Sequence, residues 1–479
     1  MSFTLIERGR PPRRAMTALL MLLAAAVLRA PVMGSAVLDP DEGLYLLQAE
    51  AWLRGGWPYV AVWDMHPPGA PALLVIPRAL IPDPVLALRV AGILAVAATA
   101  TGLAMLALRL GASAWTGRAA GLLYIAGSLR LNGLATNTEI LFAPLVVLVA
   151  VLLLGATPSL RRVALAGLAA GIAVWVKQVT VFECSALWLT MAWCAWRGGT
   201  GVARIATMAC VYALCAGLPT GAMAAGYWIS GHFDLWLQGN LLALIAYAGI
   251  EETRIGVWRG VAPVWPDLIG PAVLACIGLT GRRSRLLLPW LAAAAVAVAA
   301  PGKYFDHYFL ILLPPLSLLA AFGLRALPRR LSRPLLVLAV ALPFALMMAP
   351  RIQHGLGLRG PDPVREVARI AREALAPGEV MYVANWHPIA YALAGRAPPT
   401  RYAFPTHLIG TEMGLAGEGI AQELDRVLAI PPRVIVTADD RWRDARPEAR
   451  AAIEAALADY ELIATVQDGH GPVRVWKRL

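Results

Sequence analysis

Residues 84–108, PVLALRVAGILAVAATATGLAMLAL, form a mostly apolar run whose one charged side chain is Arg89. A helix that crosses the hydrocarbon core of a bilayer needs about 20 mostly apolar residues. The run is therefore long enough to cross a membrane as one α-helix. Ten more runs of this type predict eleven membrane-spanning helices in all, and they lie near residues 15–37, 112–128, 138–157, 163–177, 179–196, 204–228, 263–281, 286–301, 307–325 and 334–350.

The composition of the whole chain also indicates a membrane protein. Of its 479 residues, 59% are hydrophobic and 15% are charged, whereas a soluble globular chain is usually about 45–50% apolar and about 25% charged. A net charge of +12 is also found in proteins that bind nucleic acid. The basic residues are scattered between apolar runs rather than gathered on one face, which argues against that class.

The distribution of basic residues predicts the orientation of the chain. If the N-terminus is cytoplasmic and the spans alternate, 17 of the 26 Lys and Arg residues in 1–350 fall in cytoplasmic segments, as the positive-inside rule requires. Arg8 and Arg10 are among them and precede the first apolar run. Because many more runs follow, that run is predicted to be a retained span rather than a cleaved signal peptide.

Residues 351–479 have the pattern of a small soluble domain. Helical periodicity in 363–376 and 447–460 alternates with short strand-like segments, which are residues 379–385, 433–437, 461–465 and 473–476. This alternation predicts an α/β domain, and the turn-rich residues 468–472 predict a hairpin. The predicted fold class is a polytopic α-helical membrane protein, with a transmembrane catalytic domain in 1–350 and an extracytoplasmic (periplasmic) α/β domain in 351–479.

The predicted first outer loop, residues 38–83, concentrates the side chains that can carry chemistry. Asp39, Asp41 and Glu42 directly follow the first span, and an amphipathic helix at the membrane surface is predicted for residues 43–53. A turn stiffened by two prolines, Asp64–Gly69, closes the chemical part of the loop. Carboxylates at the end of a span can merely cap a helix. Carboxylates, a histidine and a rigid turn within one loop favour a catalytic site.

Several motifs follow one another along the chain, in the order Asp41-Glu42-Gly-Leu-Tyr45, Gly56-Trp57-Pro58-Tyr59, Asp64-x-His66-Pro67-Pro68-Gly69, Thr138-Glu139, Val176-Lys177-Gln178-Val-Thr180 and Gly302–Phe309 with Leu313-Pro314-Pro315. Together they resemble the C-type glycosyltransferases (GT-C fold) of the family 39 type, which include protein O-mannosyltransferases and aminoarabinose (lipid A) transferases. The resemblance covers most of residues 30–330, and the C-terminal domain matches only in position and general type.

The resemblance implies an inverting glycosyltransferase in the bacterial inner (plasma) membrane. Such an enzyme moves a hexosyl or pentosyl group from a polyprenyl-phosphate carrier to an acceptor hydroxyl of an envelope glycan, lipid or protein, at the outer face. A carboxylate must orient the acceptor hydroxyl and accept its proton, and the motif gives this role to Asp41. Glu42 would tune the ionisation of Asp41, since adjacent carboxylates disfavour joint ionisation. The implied partners are the donor, the acceptor and membrane lipids, and not nucleic acid.

The lipid-phosphate leaving group needs cationic or hydrogen-bonding partners. Lys303 and His307 are favoured because they share one motif, while Lys177 and Arg130 also fall at predicted outer ends of spans. Each of these side chains taken alone is more often a membrane-surface anchor than a ligand, and the two interpretations of Arg130 stay open. The remaining predicted substrate-binding residues are Glu139, Tyr45, Asp64, His66 and Tyr304.

No cofactor is predicted as required, and a divalent metal ion is left open as an alternative. Six side chains on the predicted outer side carry oxygen or nitrogen donors, but no two of them have a diagnostic metal-ligand spacing: Asp64, His66, Glu139, His232, Asp234 and His307. Where the aminoarabinose transferases have Glu-Lys-Pro-Pro, this chain has Met65-His66-Pro67-Pro68.

A transporter or flippase for a lipid-linked saccharide is the alternative function. Transporters usually contain internal repeats and ionisable groups near the middle of the bilayer. The sequence shows no repeat, and its acidic residues cluster at the predicted outer ends of spans. These two features favour the enzyme.

Overall fold

The computed structural model describes residues 11–250, 254–354, 362–410, 415 and 420–479. Arg8 and Arg10, which helped to orient the chain, lie outside the described residues. The described part is mainly helical, with α1 (Pro11–Arg29), α2 (Pro40–Leu53), α3 (Gly69–Leu80), α4 (Pro84–Arg109), α5 (Ala114–Gly127), α6 (Thr138–Leu153), α7 (Leu160–Val176), α8 (Thr180–Arg197), α9 (Val202–Ile229), α10 (Phe233–Leu237), α11 (Ala243–Gly249), α12 (Val257–Val261), α13 (Trp265–Gly278), α14 (Leu288–Ala299), α15 (Leu313–Ala326), α16 (Arg329–His354), α17 (Pro363–Ala374), α18 (Ile389–Ala394), α19 (Pro405–Leu408), α20 (Ala421–Ala429) and α21 (Pro447–Ala456).

Each of the eleven predicted spans coincides with one apolar helix, namely α1, α4 to α9 and α13 to α16. Within the described residues, five segments are long and apolar enough to cross a membrane by themselves: Arg14–Val32, Pro84–Arg109, Val202–Ile229, Asp306–Ala326 and Arg329–Pro350. The predicted first outer loop contains the expected helix, α2, and a second one, α3. The apolar residues at the start of α3 face the protein interior, which is why this short run folds as a helix.

The chain forms two compact units, and neither of them is continuous in sequence. The first comprises Met1–Val32, Ala91–Met223 and Glu251–Leu356, and the second comprises Met33–Val90, Ala224–Ile250 and Gly357–Leu479. The domain boundary at 350/351 stays a prediction.

Small residues set the closest helix packing in the first unit. Helices α13 and α15 cross where Gly278 and Gly323 face each other's backbones. A Cβ atom on Gly323 would overlap the carbonyl oxygen of Leu274, and a Cβ atom on Gly278 would overlap that of Leu319. Glycines of this kind let apolar helices approach closely, which is a common basis of packing in membrane proteins.

The second unit contains the predicted α/β fold. Its sheet has the order β1 (Met381–Val383), β2 (Val434–Ala438), β4 (Pro472–Arg478) and β3 (Tyr460–Gln467). Strands β1 and β2 are parallel and fully buried, whereas β3 and β4 form the predicted antiparallel hairpin. The parallel pair accounts for the continuous apolar sequence of its strands, since a buried strand needs no alternation of polar and apolar residues.

A single carboxylate connects the start of the C-terminal segment to the first loop. Asp362 caps α17 by accepting hydrogen bonds from the backbone N–H groups of Val364 and Arg365, at 2.9 and 3.2 Å. Its other oxygen accepts a hydrogen bond from the N–H of Ala36 at 3.0 Å. The nearby guanidinium of Arg365 donates to both carboxylate oxygens of Asp83, at 2.7 and 3.1 Å.

We expect Asp362→Ala to lower the free energy of unfolding by about 1–2 kcal/mol, because loss of an N-cap side chain typically costs this much. Asp362→Asn is the matched control: asparagine is an equally good N-cap and should retain most of the stability. Thermal denaturation of the purified protein measures the difference. Equal midpoints for Asp362→Ala and the unchanged protein would contradict the capping role.

Candidate active site

The N-terminal turn of α2 presents the acidic motif. Asp39 is the N-cap, and its side chain accepts a hydrogen bond from the backbone N–H of Asp41 at 3.0 Å. Pro40 occupies the first helical position, where a missing N–H costs nothing and the fixed φ favours a helix. Asp41 and Glu42 follow in the first turn, where the helix dipole stabilises negative charge. The N-cap and the proline therefore start α2 at the position where Asp41 and Glu42 stand.

The two adjacent carboxylates have different surroundings. Glu42 is buried and forms a two-pronged ion pair with Arg89, with both N–O distances at 2.6 Å. One of its oxygens also accepts a hydrogen bond from the backbone N–H of Leu38 at 3.0 Å. Arg89 donates in addition to the carbonyl oxygen of Ser35 at 3.0 Å. Asp41 is partly exposed. Glu42 is thus committed to structure, while Asp41 is the carboxylate of the pair that solvent can reach.

The Asp64–Gly69 turn holds its ionisable side chains together, as predicted. The carboxylate of Asp64 lies 3.1 and 3.2 Å from Nδ1 of His66 and accepts a hydrogen bond from the backbone N–H of Met65 at 2.7 Å. The ring of Tyr45 packs edge-on against the His66 ring, with 6.0 Å between centroids. Tyr45, Asp64 and His66 therefore form one cluster in the second unit, beside the helix that carries Asp41.

Aromatic residues support this turn from below. The hydroxyl of Tyr59 donates to the carbonyl oxygen of His66 at 2.9 Å, and the hydroxyl of Tyr227 donates to the carbonyl oxygen of Pro58 at 2.8 Å. Trp63 packs edge-on against His407, with 4.7 Å between ring centroids. Tyr59 and Tyr227 each combine a buried ring with a hydrogen-bonded hydroxyl, and Trp63 adds a large apolar contact, so these side chains help to fix the loop in place.

Asp64 should make the stability of the second unit depend on pH. Burial acts to raise the pKa of its carboxyl, but the neighbouring His66 and His407 and the N–H of Met65 outweigh burial and lower the pKa. A carboxyl whose pKa is lowered by folding stabilises the protein above its unfolded pKa of about 3.9. That contribution is lost as the pH falls through the lower, folded value.

We therefore expect Asp64→Asn to lower the thermal midpoint at pH 6, with a gap to the unchanged protein that narrows as the pH falls below about 4. Denaturation scans at a series of pH values measure the gap. Asp425→Asn, which removes an exposed carboxylate of α20, is the control and should change the midpoint little. A gap that stays constant down to pH 3 would show that Asp64 has no linkage to folding.

A second group of predicted residues meets within the first unit. The ammonium group of Lys177 lies 2.5 Å from the carboxylate of Glu139 and 4.5 Å from the ring centroid of Tyr308. The hydroxyl of Thr138 donates to the other oxygen of Glu139 at 3.0 Å. The His307 ring packs edge-on against Tyr308 at 4.9 Å. Three motifs far apart in sequence are thus brought together, at the start of α6, at the end of α7 and in the 3₁₀ turn Asp306–Leu312 before α15.

Lys303, Tyr304 and Arg130 lie in other settings. Lys303 is 1% exposed, so this long cationic side chain is enclosed by protein. Tyr304 has a left-handed backbone with φ of +52°, a conformation that costs energy for a residue with a side chain. Arg130 forms an ion pair with Asp267 at 2.8 Å and is partly exposed. Arg130 therefore lies in a contact apart from the pair formed by Glu139 and Lys177.

Sequence reasoning did not single out two residues that the structure makes important. Arg89 is the counter-ion of Glu42, and the signal was available, because a lone charge within an apolar span is a functional candidate by default. His407 comes from the C-terminal segment and adds positive charge near Asp64. Its sequence surroundings offer no comparable signal. Only the tertiary fold could place it there.

Among the described residues, no three His, Cys, Asp or Glu side chains come together as a set that could hold a metal ion. Asp64 and His66 do adjoin each other, but two donors fall short of the three or four protein ligands that bind zinc.

Two solved structures share the overall architecture of this chain. One is ArnT from Cupriavidus metallidurans bound to undecaprenyl phosphate, with 14% sequence identity, a TM-score of 0.64, and coverage of 95% of this chain and 97% of that chain. The other is the archaeal oligosaccharyltransferase AglB from Archaeoglobus fulgidus, in complex with an inhibitory peptide and a dolichol-phosphate, with 11% identity, a TM-score of 0.50, and coverage of 96% and 74%.

No protein-family model matches the chain, and no curated protein matches it either. The structural likeness extends over nearly the whole chain, including both compact units, and is accompanied by the apolar helices described above. The chain is therefore a polytopic α-helical membrane protein with the fold of the C-type glycosyltransferases and a small C-terminal sheet.

Proposed function

We propose that this protein transfers a sugar from a polyprenyl-phosphate carrier to the hydroxyl group of an acceptor at the outer face of the membrane. The main support for the proposal is the difference in surroundings between the adjacent carboxylates Asp41 and Glu42 at the start of α2. Glu42 is locked by Arg89, whereas its neighbour Asp41 is partly exposed. A general base must reach its substrate and keep a fixed position, and this arrangement meets both needs. The fold, which is shared with structures that hold undecaprenyl phosphate and dolichol-phosphate, supports the same class of donor.

In this proposal Asp41 is the catalytic residue. Its carboxylate accepts the proton of the acceptor hydroxyl as the hydroxyl oxygen attacks the anomeric carbon of the donor. The bond between that carbon and the phosphate oxygen breaks, the polyprenyl phosphate leaves, and the anomeric configuration inverts. Glu42 is a positioning residue, because it acts through the helix turn that it ties to Arg89.

The donor phosphate requires cationic or hydrogen-bonding partners. Lys177 forms an ion pair with Glu139, and its ammonium group also lies over the electron-rich face of Tyr308. We propose that Lys177, Lys303, His307 and Arg130 are the candidate contacts of the phosphate. Tyr45, Asp64 and His66, held together beside α2, together with Glu139 and Tyr304, complete the proposed substrate-binding set.

Reconstitution into liposomes tests the proposed reaction directly. The protein is supplied with a radiolabelled polyprenyl-phosphate sugar and an extract of envelope glycans, lipids and proteins. We expect label to appear in one acceptor class, and mass spectrometry of envelope glycans from cells with and without the protein should show a matching loss of one sugar. Movement of labelled lipid across the bilayer with no acceptor modified would support the transporter instead.

A further inference from the structure

A pocket in the second compact unit begins at Pro40, the first residue of the helix that carries Asp41. Pro40 forms part of its wall, together with Trp386, His387, Phe404 and Arg441 from the C-terminal segment. The cavity volume of the pocket is about 100 Å³. This is below the volume of a site that encloses a whole ligand, about 300–1,000 Å³, so the pocket suits one compact polar group rather than a lipid chain.

The C-terminal segment is packed directly on α2, which explains why the pocket reaches Pro40. A Cβ atom on Gly43 would lie 3.0 Å from Cβ of Ile389 and 3.1 Å from its backbone nitrogen, so any side chain there would push the two segments apart. Pro388, the residue before Ile389, lines the pocket. The closeness of the pocket to the acidic motif is therefore built into the packing of this unit.

The backbone behind the pocket is held rigidly. The side-chain amide of Asn385 both donates to the carbonyl oxygen and accepts from the N–H of Ala438, each at 2.8 Å. The indole N–H of Trp386 donates to Asp468 at 2.9 Å. Because the two residues before His387 are tied to β2 and to the turn between β3 and β4, this part of the wall is pre-formed, which lowers the entropic cost of binding a ligand.

The polar groups of the pocket offer directional hydrogen bonds rather than a single charge. Burial, and then the positive charge of Arg441, lower the pKa of His387 to about 3, so its imidazole is neutral at ordinary pH. The guanidinium of Arg441 lies 3.4 Å from Nε2 of this neutral ring, while its Nε is buried with no hydrogen-bond partner among the described residues. Asp444 adds a carboxylate to the lining and lies 3.7 Å from the guanidinium of Arg443.

A wall of aromatic rings with balanced donors and acceptors matches one class of ligand best. Sugar rings present apolar C–H faces to aromatic side chains and hydroxyl groups to polar ones, whereas an acyl chain would offer no hydrogen bond to the buried Nε of Arg441. We propose that this pocket binds one sugar residue of the acceptor, so that the acceptor is a glycan. That the bound sugar belongs to the acceptor rests on the proposed function, whereas the binding of sugar by the pocket does not depend on it.

Saturation-transfer NMR on the full-length protein tests the pocket without requiring turnover. The probes are methyl glucoside and methyl N-acetylglucosaminide, in a detergent without a sugar headgroup. We expect saturation transfer to the ring protons of at least one probe, with binding weakened at least five-fold by Phe404→Ala and by Arg441→Gln. The matched control is Arg372→Gln, which changes an exposed arginine of α17 in the same unit that is not part of the lining, and it should bind as the unchanged protein does.

Asp41→Asn separates this inference from the proposed function, because it should abolish transfer yet leave probe binding intact. Equal thermal midpoints confirm that the variants are folded. The inference is overturned if neither sugar receives saturation, if Phe404→Ala and Arg441→Gln bind them normally, or if a Ser/Thr peptide alone shows binding that depends on Phe404. Sugar binding in the pocket together with active Asp41→Asn would instead overturn only the proposed base.

Discussion

Asp41→Asn should reduce the rate of sugar transfer by about 10²–10⁴-fold, the contribution expected of a general base. Asparagine keeps the size of the side chain and its place at the start of α2, so the helix should fold normally. What is lost is the group that accepts the proton of the acceptor hydroxyl. The rate measured with purified protein in liposomes, at saturating donor and acceptor, gives the effect on the chemical step.

Asp39→Asn is the matched control for Asp41→Asn. It removes a carboxylate two residues away, but asparagine caps a helix as well as aspartate does, so the hydrogen bond to the N–H of Asp41 can be kept. We expect this variant to retain most of the activity. Full activity of Asp41→Asn would contradict the assignment of Asp41 as the catalytic base. An equal loss of activity in Asp39→Asn and Asp41→Asn would show that the negative charge of the turn matters rather than Asp41 itself.

Arg89→Met should destabilise the protein by about 3–5 kcal/mol, because it leaves the buried carboxylate of Glu42 without its counter-ion. The same change should also lower activity, since Arg89 fastens Glu42 and the carbonyl of Ser35 on either side of the acidic turn. The measurements are the thermal midpoint in detergent and the rate of transfer.

The paired variant Arg89→Met with Glu42→Leu distinguishes the two roles of this ion pair. Replacement of both charges by apolar groups is often neutral for stability, so most of the lost stability should return. If the pair positions Asp41, activity should stay low in the restored protein. Recovery of full activity along with stability would show that the pair serves folding alone. If Arg89→Met alone is as stable as the unchanged protein, the result contradicts the buried ion pair between Arg89 and Glu42.

The fold of this chain is similar to that of ArnT although few residues are identical, and the reason is physical. At 14% identity to ArnT, few side chains are shared, so a search by residue type finds no match. The positions of apolar helices depend on the spacing of apolar runs rather than on which apolar residue fills them. Architecture can therefore persist where sequence similarity has vanished.

Within the candidate site, short-range relations could be predicted and long-range ones could not. Asp64 and His66 adjoin each other because they are two positions apart at the start of a stiff turn. Lys177 and Glu139 were both singled out as site residues, yet their direct contact is set by how α6 and α7 pack. Arg89 as the partner of Glu42 depends on an approach between residues 47 positions apart.

The sequence by itself determined the eleven apolar helices, the acidic start of α2 and the short strands of the C-terminal segment. Each of these depends on local periodicity, on helix capping or on turn residues, which act over a few positions along the chain. Only the tertiary structure decided that Glu42 is paired with Arg89 while Asp41 stays accessible to solvent. It also decided that the C-terminal segment forms a pocket beside Pro40. These features arise from contacts between distant segments, whose pairing no local pattern encodes.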